Sequence, residues 1–193
     1  RMMFACCHPA LPTEGQIALI LRTLCGLSIE EIAEALLSNQ ENINKRLYRT
    51  KDKIRTENIE LDVPIGNEIL DRLDDVLRVI YLLFNEGYNS SSNDLVVKKD
   101  ICDEALRLAH LLINHSVTNL PKCKALLALM YFQASRFEAR LDDEGNIILL
   151  QHQNRNNWDK TLISNGFYFL HQSSEGNEIS EYHIEAAIAS YHA

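Results

Sequence analysis

The chain has 193 residues, 46% of them hydrophobic, enough for one or two cored domains, and its few glycines (seven) and prolines (four) favour helices. No run of about 18 apolar residues occurs and no charged, apolar, small-residue leader is present, so neither a membrane span nor secretion is expected. The net charge of −8 is unevenly laid out: residues 1–56 hold eight Lys/Arg against six Asp/Glu, while residues 57–193 hold eleven against twenty-one. The first part suits nucleic acid and the second suits protein or solvent.

The chain opens inside an apolar run, RMMFACC, as a piece of a longer protein would. Cys6-Cys7-His8 has no CxxC partner, and the five cysteines (6, 7, 25, 102 and 123) have no regular spacing. They read as reduced, buried thiols of a cytoplasmic protein, with no metal and no cofactor. A first helix follows Leu11-Pro12, with Thr13 and Gln16 at the spacing of a capping box and Ile17, Ile20, Leu21 and Leu24 on one face. Gly26 stops it. Ser28 and Glu31 form a second capping box, and Ile29, Ile32, Ala33 and Leu36 repeat at the interval of a buried helical stripe.

Ser38-Asn39-Gln40 breaks that helix, and a third runs from about Gln40 to Arg55. Ile43, Leu47 and Ile54 share one side of it. Glu41, Asn42, Lys45, Tyr48, Arg49 and Lys53 spread over the other, with Arg46, Lys51 and Arg55 flanking. Three short helices with tight breaks, and charge gathered on the last, form the pattern of a helix-turn-helix that reads DNA. Of its side chains Glu41, Asn42, Lys45 and Arg49 suit base edges, since Arg or Lys engages guanine, Asn pairs adenine and Glu accepts from cytosine. Arg46, Lys51, Lys53 and Arg55 suit phosphates, with Arg22 on the first helix as a further candidate.

Residues 56–67, with Pro64 and Gly66, read as a linker. A long apolar helix follows from Glu68 to Asn85-Glu86-Gly87-Tyr88, then a polar loop over Asn89–Asn93. Further helices are expected over 100–115, from Pro121 to about Arg140, from Trp158 to about Gln172, and from Ser180 or Glu181 to the end. Residues 142–146 read as a turn, and Ile147–Leu150 as an extended segment or one helical turn. The fold class is therefore all-α: a three-helix helix-turn-helix domain over 1–56, a linker over 57–67, and a multi-helix, repeat-like domain over 68–193.

FACCHPAL, QIALILRTLCGLSIEEIAEALL and NINKRLYRTKDKIR resemble the C-terminal promoter-reading region, region four, of ECF-type RNA polymerase sigma factors. VIYLLFNEGYNSS, EALRLAHLL, LLALMYFQASRFEARLDDEGNIILLQHQNRNNWDKTLI and YHIEAAIASYHA resemble the subgroup with a long helical C-terminal extension. The resemblance covers essentially the whole chain. It implies binding of the upstream (−35) element of promoter DNA, core RNA polymerase as a partner, and a regulatory protein or ligand at the extension. It also implies a clamp-binding, DNA-melting region ahead of Arg1 and further helices beyond Ala193. Ser38-Asn39-Gln40 departs from the family's usual proline and glutamate, and Gln153-Asn154-Arg155 from its Gln-Asp-Arg.

In the extension, Glu86, Arg136, Arg140, Gln153, Arg155 and Trp158, with Asp159, form a candidate polar cluster that braces helices or holds a ligand. No paired-carboxylate motif, nucleophile elbow, HExxH or phosphate loop is present, so an enzyme is not expected. The other reading of the whole chain is a helical protein-interaction scaffold without DNA binding.

Overall fold

The computed structural model describes residues 1–88, 98–142, 144 and 146–193. Among these the protein is all-α: eleven α-helices, two three-residue 3-10 turns and one isolated antiparallel bridge between Leu141 and Ile147. The polar loop expected over Asn89–Asn93 lies outside the described residues, as do Asp143 and Gly145 of the expected turn. Packing divides the chain into two compact units, Arg1–Glu86 and Gly87–Ala193.

The first unit begins with α1 (Met2–Cys6) and α2 (Thr13–Thr23). The expected Thr13–Gln16 capping box does not form, because Pro12 occupies the cap and Thr13 is already helical. Gln16 is buried instead, and its Nε2 donates to the carbonyls of His8 (2.9 Å) and Leu11 (2.8 Å), tying the α1–α2 turn to α2. Gly26 takes the left-handed φ of 76°, which lets the Leu27 N–H fold back onto the Leu21 carbonyl at 3.0 Å and ends α2.

The box opening α3 (Ile29–Ala35) is present in both directions: Glu31 N–H donates to Ser28 Oγ at 3.1 Å and Ser28 N–H to Glu31 Oε2 at 2.6 Å. In the turn that follows, Leu37 adopts a left-handed φ of 48°. Asn39 then caps α4 (Gln40–Thr56), its Oδ1 accepting from Asn42 N–H at 2.8 Å. The helix expected from Glu68 is two helices, α5 (Glu68–Asp71) and α6 (Leu73–Tyr88). Arg72 stands at the break, and its Nη1 donates to the Phe4 carbonyl at 3.0 Å, joining this segment to α1. α6 runs through Tyr88, the last residue of the stretch expected to close it.

The second unit contains α7 (Lys99–Ile113), α8 (Pro121–Ala134), α9 (Phe137–Arg140), α10 (Lys160–Ser173) and α11 (Glu181–Ser190). α8 is buried on all sides, from Cys123 through Ala134, and packs against α7, α10 and α11. A helix apolar all round belongs at the centre of a bundle. α10 reaches it closely: a Cβ on Gly166 would lie 2.7 Å from the Phe132 ring.

The helix expected from Pro121 to Arg140 breaks at Ser135 and Arg136, because the Ser135 carbonyl accepts instead from Asp159 N–H at 2.8 Å. Ile147–Leu150 divides between the two forms expected. Ile147 pairs with Leu141, and Leu150 starts a 3-10 turn that runs to His152. Trp158 lies just ahead of α10 rather than in it, because the carboxylate of Asp159 is the cap, accepting from the Thr161 and Leu162 N–H groups at 2.8 and 3.0 Å.

Candidate nucleic-acid interface

α4 is held from below by a short apolar seam. Ile43, Leu47 and Thr50 are buried, a spacing that places them on one side of the helix against α2 and α3. Everything on the far side is presented outward. Glu41, Asn42, Asn44, Lys45, Tyr48, Arg49, Lys51 and Arg55 are exposed, while Arg46 and Lys53 are half-buried. Five of these, Glu41, Asn44, Lys45, Tyr48 and Arg49, line one shallow concavity of about 390 Å³.

The cations of α4 fall into two groups. Lys45 Nζ meets Glu41 Oε1 at 2.6 Å, Arg46 Nη2 meets Glu14 Oε2 of α2 at 2.9 Å, Lys53 Nζ meets Glu57 Oε1 at 3.8 Å and Arg55 Nη2 meets Asp52 Oδ1 at 2.8 Å. Arg49 and Lys51 have no hydrogen-bond or ion-pair partner among the described residues. Exposed pairs of the first kind are worth less than about 1 kcal/mol and exchange readily for another anion. The Arg46–Glu14 pair differs in joining two helices. Arg22 Nη1 donates to the Leu27 carbonyl at 2.8 Å and so braces the α2–α3 turn.

Two residues on this face, Asn44 and Tyr48, are absent from the candidate set read from charge and base-pairing chemistry alone. Their exposure on the same side as Lys45 was legible in the helical period. Asn42 lies outside the lining of the concavity, although exposed.

In the second unit, the extension's candidate cluster is partly assembled. The Arg140 guanidinium sits 3.9 Å from the centroid of the Tyr88 ring, with that of Arg136 at 5.8 Å from the same ring. Arg136 also lies 6.0 Å and Arg155 5.3 Å from the Trp158 ring. Aromatic faces thus carry the guanidinium groups, as the ring quadrupole favours. Burial pushes the Arg136 pKa down from its ordinary value. Gln153 Nε2 donates to the Ile148 carbonyl at 2.9 Å, and Asp159 is drawn off as the cap of α10. Tyr88, part of the VIYLLFNEGYNSS stretch but not of the expected cluster, is the residue that both Arg136 and Arg140 share. Glu86 is buried in the first unit, at 5% exposure. Among the described residues no group of three His, Cys, Asp or Glu is placed to hold a metal, and no helix is long and apolar enough to cross a membrane.

A helix-turn-helix with an outward cationic second helix, followed by a helical unit, is the class these two units define. Residues 1–54 match Sigma-70, region 4, which marks a factor of the sigma-70 family. Residues 72–174 match the family of unknown function DUF6596, and the chain belongs to that family. The chain is similar to the uncharacterized protein R00370 of Rhizobium meliloti (strain 1021), with 37% identity over 193 residues, which is 100% of this chain and 45% of that protein. The chain thus spans less than half the length of that relative. No solved structure matches it.

Proposed function

We propose that residues 1–56 read the upstream (−35) promoter element for transcription initiation, as region four of an ECF-type sigma factor, with core RNA polymerase as partner. The observation that carries this reading is the seating of α4: Ile43, Leu47 and Thr50 are sealed against α2 and α3 while Lys45, Arg49 and Lys51 face outward. A recognition helix presented this way enters the major groove by its N-terminal half. Glu41, Asn42, Lys45 and Arg49 are the base-edge residues of the proposal, and Arg46, Lys51, Lys53 and Arg55 its phosphate residues. Region four matched over residues 1–54 supports the same reading.

The extension has a regulatory or protein-binding role in this proposal. The supporting observation is an apolar groove of about 810 Å³ at α11, where Ile179, Ile184, Ile188 and Tyr191 are 57–91% exposed.

Fluorescence anisotropy with duplex carrying the upstream element, across a salt series, tests the DNA reading. A linear fall of log affinity with log salt is expected. Lys45→Ala combined with Arg49→Ala should abolish sequence-specific binding, each good base contact being worth about 1–3 kcal/mol. Binding that ignores salt, or a double variant that binds as wild type, leaves the scaffold reading in its place.

A further inference from the structure

Tyr48 is 71% exposed on α4. Among the described residues of the Arg1–Glu86 unit it is the one exposed aromatic side chain: Phe4 and Tyr81 are half-buried and Phe84 is buried. No ring, cation or hydrogen bond engages it among the described residues. An apolar ring held in water, in the middle of a helix otherwise dressed with charge, calls for a counterpart. Its surroundings say which kind. It lines the concavity with Glu41, Asn44, Lys45 and Arg49, one helical turn beyond Asn44 and beside Arg49, which has no acidic partner. The ring therefore stands among groups suited to base edges rather than out on the flank with the phosphate candidates.

In the major groove the bases present mainly donors and acceptors, and thymine alone adds a C5-methyl group. That methyl is the largest apolar feature of a base edge that an exposed ring can bury. We infer that Tyr48 is a base-reading residue whose ring packs on a thymine C5-methyl group in the bound duplex. The inference rests on the promoter-reading proposal above and adds a specificity determinant to it. The hydroxyl is dispensable in this role, so phenylalanine serves as well as tyrosine.

The test uses the full chain. Selection from a random duplex library yields a preferred site, and each thymine of that site is then replaced by deoxyuridine, which removes the methyl and nothing else. One replacement is expected to weaken wild-type binding about fourfold, the worth of one buried methyl-sized group. Tyr48→Phe should keep this discrimination. Tyr48→Ala should bind the thymine and uracil duplexes alike, with its salt slope unchanged. Because Tyr48 is exposed, neither variant disturbs the seam beneath α4. Salt-dependent binding in which wild type fails to distinguish thymine from uracil, or in which Tyr48→Ala still does, overturns the role of Tyr48 and leaves the promoter reading standing. Absence of any salt-dependent duplex binding overturns the promoter reading, and the Tyr48 inference falls with it.

Discussion

Gly15 of α2 lies directly beneath Thr50 of α4: a Cβ placed on Gly15 would stand 2.2 Å from Thr50 Oγ1. Both residues are buried, and the Thr50 hydroxyl already donates to the Arg46 carbonyl at 2.8 Å. This close approach brings α4 down onto α2 and turns its cationic side outward. Gly15→Ala should therefore destabilise the protein by about 1–3 kcal/mol, the usual cost of overpacking. Thr50→Ala removes the obstructing atoms, so the double variant should recover most of the loss. Thermal melts followed by circular dichroism compare them. Equal midpoints for wild type and Gly15→Ala would show that the two helices have slack at this point.

Arg46 and Glu14 add an ion pair between these helices, at 2.9 Å, with 68% of the Glu14 side chain exposed. A pair so exposed contributes under about 1 kcal/mol to stability. Its larger effect should be on binding, because Glu14 holds an anion beside the proposed phosphate contacts. Glu14→Gln is expected to leave the melting curve nearly unchanged, to raise duplex affinity and to steepen the salt slope by about one phosphate contact. Adding Arg46→Ala should erase the gain. A lower affinity for Glu14→Gln would mean that the pair positions α4 rather than restraining Arg46.

The second unit should be sensitive to mild acid through His110. Its Nε2 is 2.6 Å from the Tyr131 hydroxyl, and the ring packs edge-on to Phe169 at 5.6 Å between centroids. Burial lowers its pKa below the ordinary 6.5. The unfolded chain therefore takes up the proton first. The stabilisation from neutral His110 is present above pH 6.5 and is lost as pH falls towards the folded value. Urea unfolding at stepped pH should show stability declining below that point, with a shallower decline in His110→Gln. Parallel curves for the two proteins would remove His110 as the cause.

The cysteines should differ sharply in reactivity. Burial, reinforced by Asp75, pushes the Cys7 thiol up to about 12; burial with Asp103 and Asp100 does the same for Cys102. At pH 8 roughly one such thiol in ten thousand is the reactive thiolate. Cys25 is half-buried. Iodoacetamide followed by mass spectrometry should label Cys25 in the native protein, and Cys7 and Cys102 only after unfolding. Early labelling of Cys7 would mean that α1 detaches readily from the unit.

What was legible beforehand is what the local chain encodes. The Ser28–Glu31 box needs only residues three apart, and it is present with both bonds made. The outward side of α4 follows from its 3.6-residue period, and its bounds, Gln40–Thr56, differ by one residue from the reading. Gly26 ends α2 by a left-handed turn that glycine adopts without penalty.

Other features depend on groups far apart in the chain. Thr13 and Gln16 have the spacing of a cap, yet Gln16 turns inward because the carbonyls of His8 and Leu11 come within reach once α1 folds back. The break at Ser135 arises because Asp159 competes for its carbonyl. Tyr88 joins Arg136 and Arg140 across about fifty residues of chain, at distances that no periodicity carries. The sequence alone determined where the longer helices lie, though not α1 or the breaks at Arg72 and Ser135, and which side of α4 is wet, since these depend on neighbours within one or two turns. Only tertiary packing decided that Arg46 reaches Glu14, which glycine sits under which threonine and which ring Arg136 and Arg140 share, since those outcomes turn on contacts between segments whose separation along the chain says nothing of their separation in space.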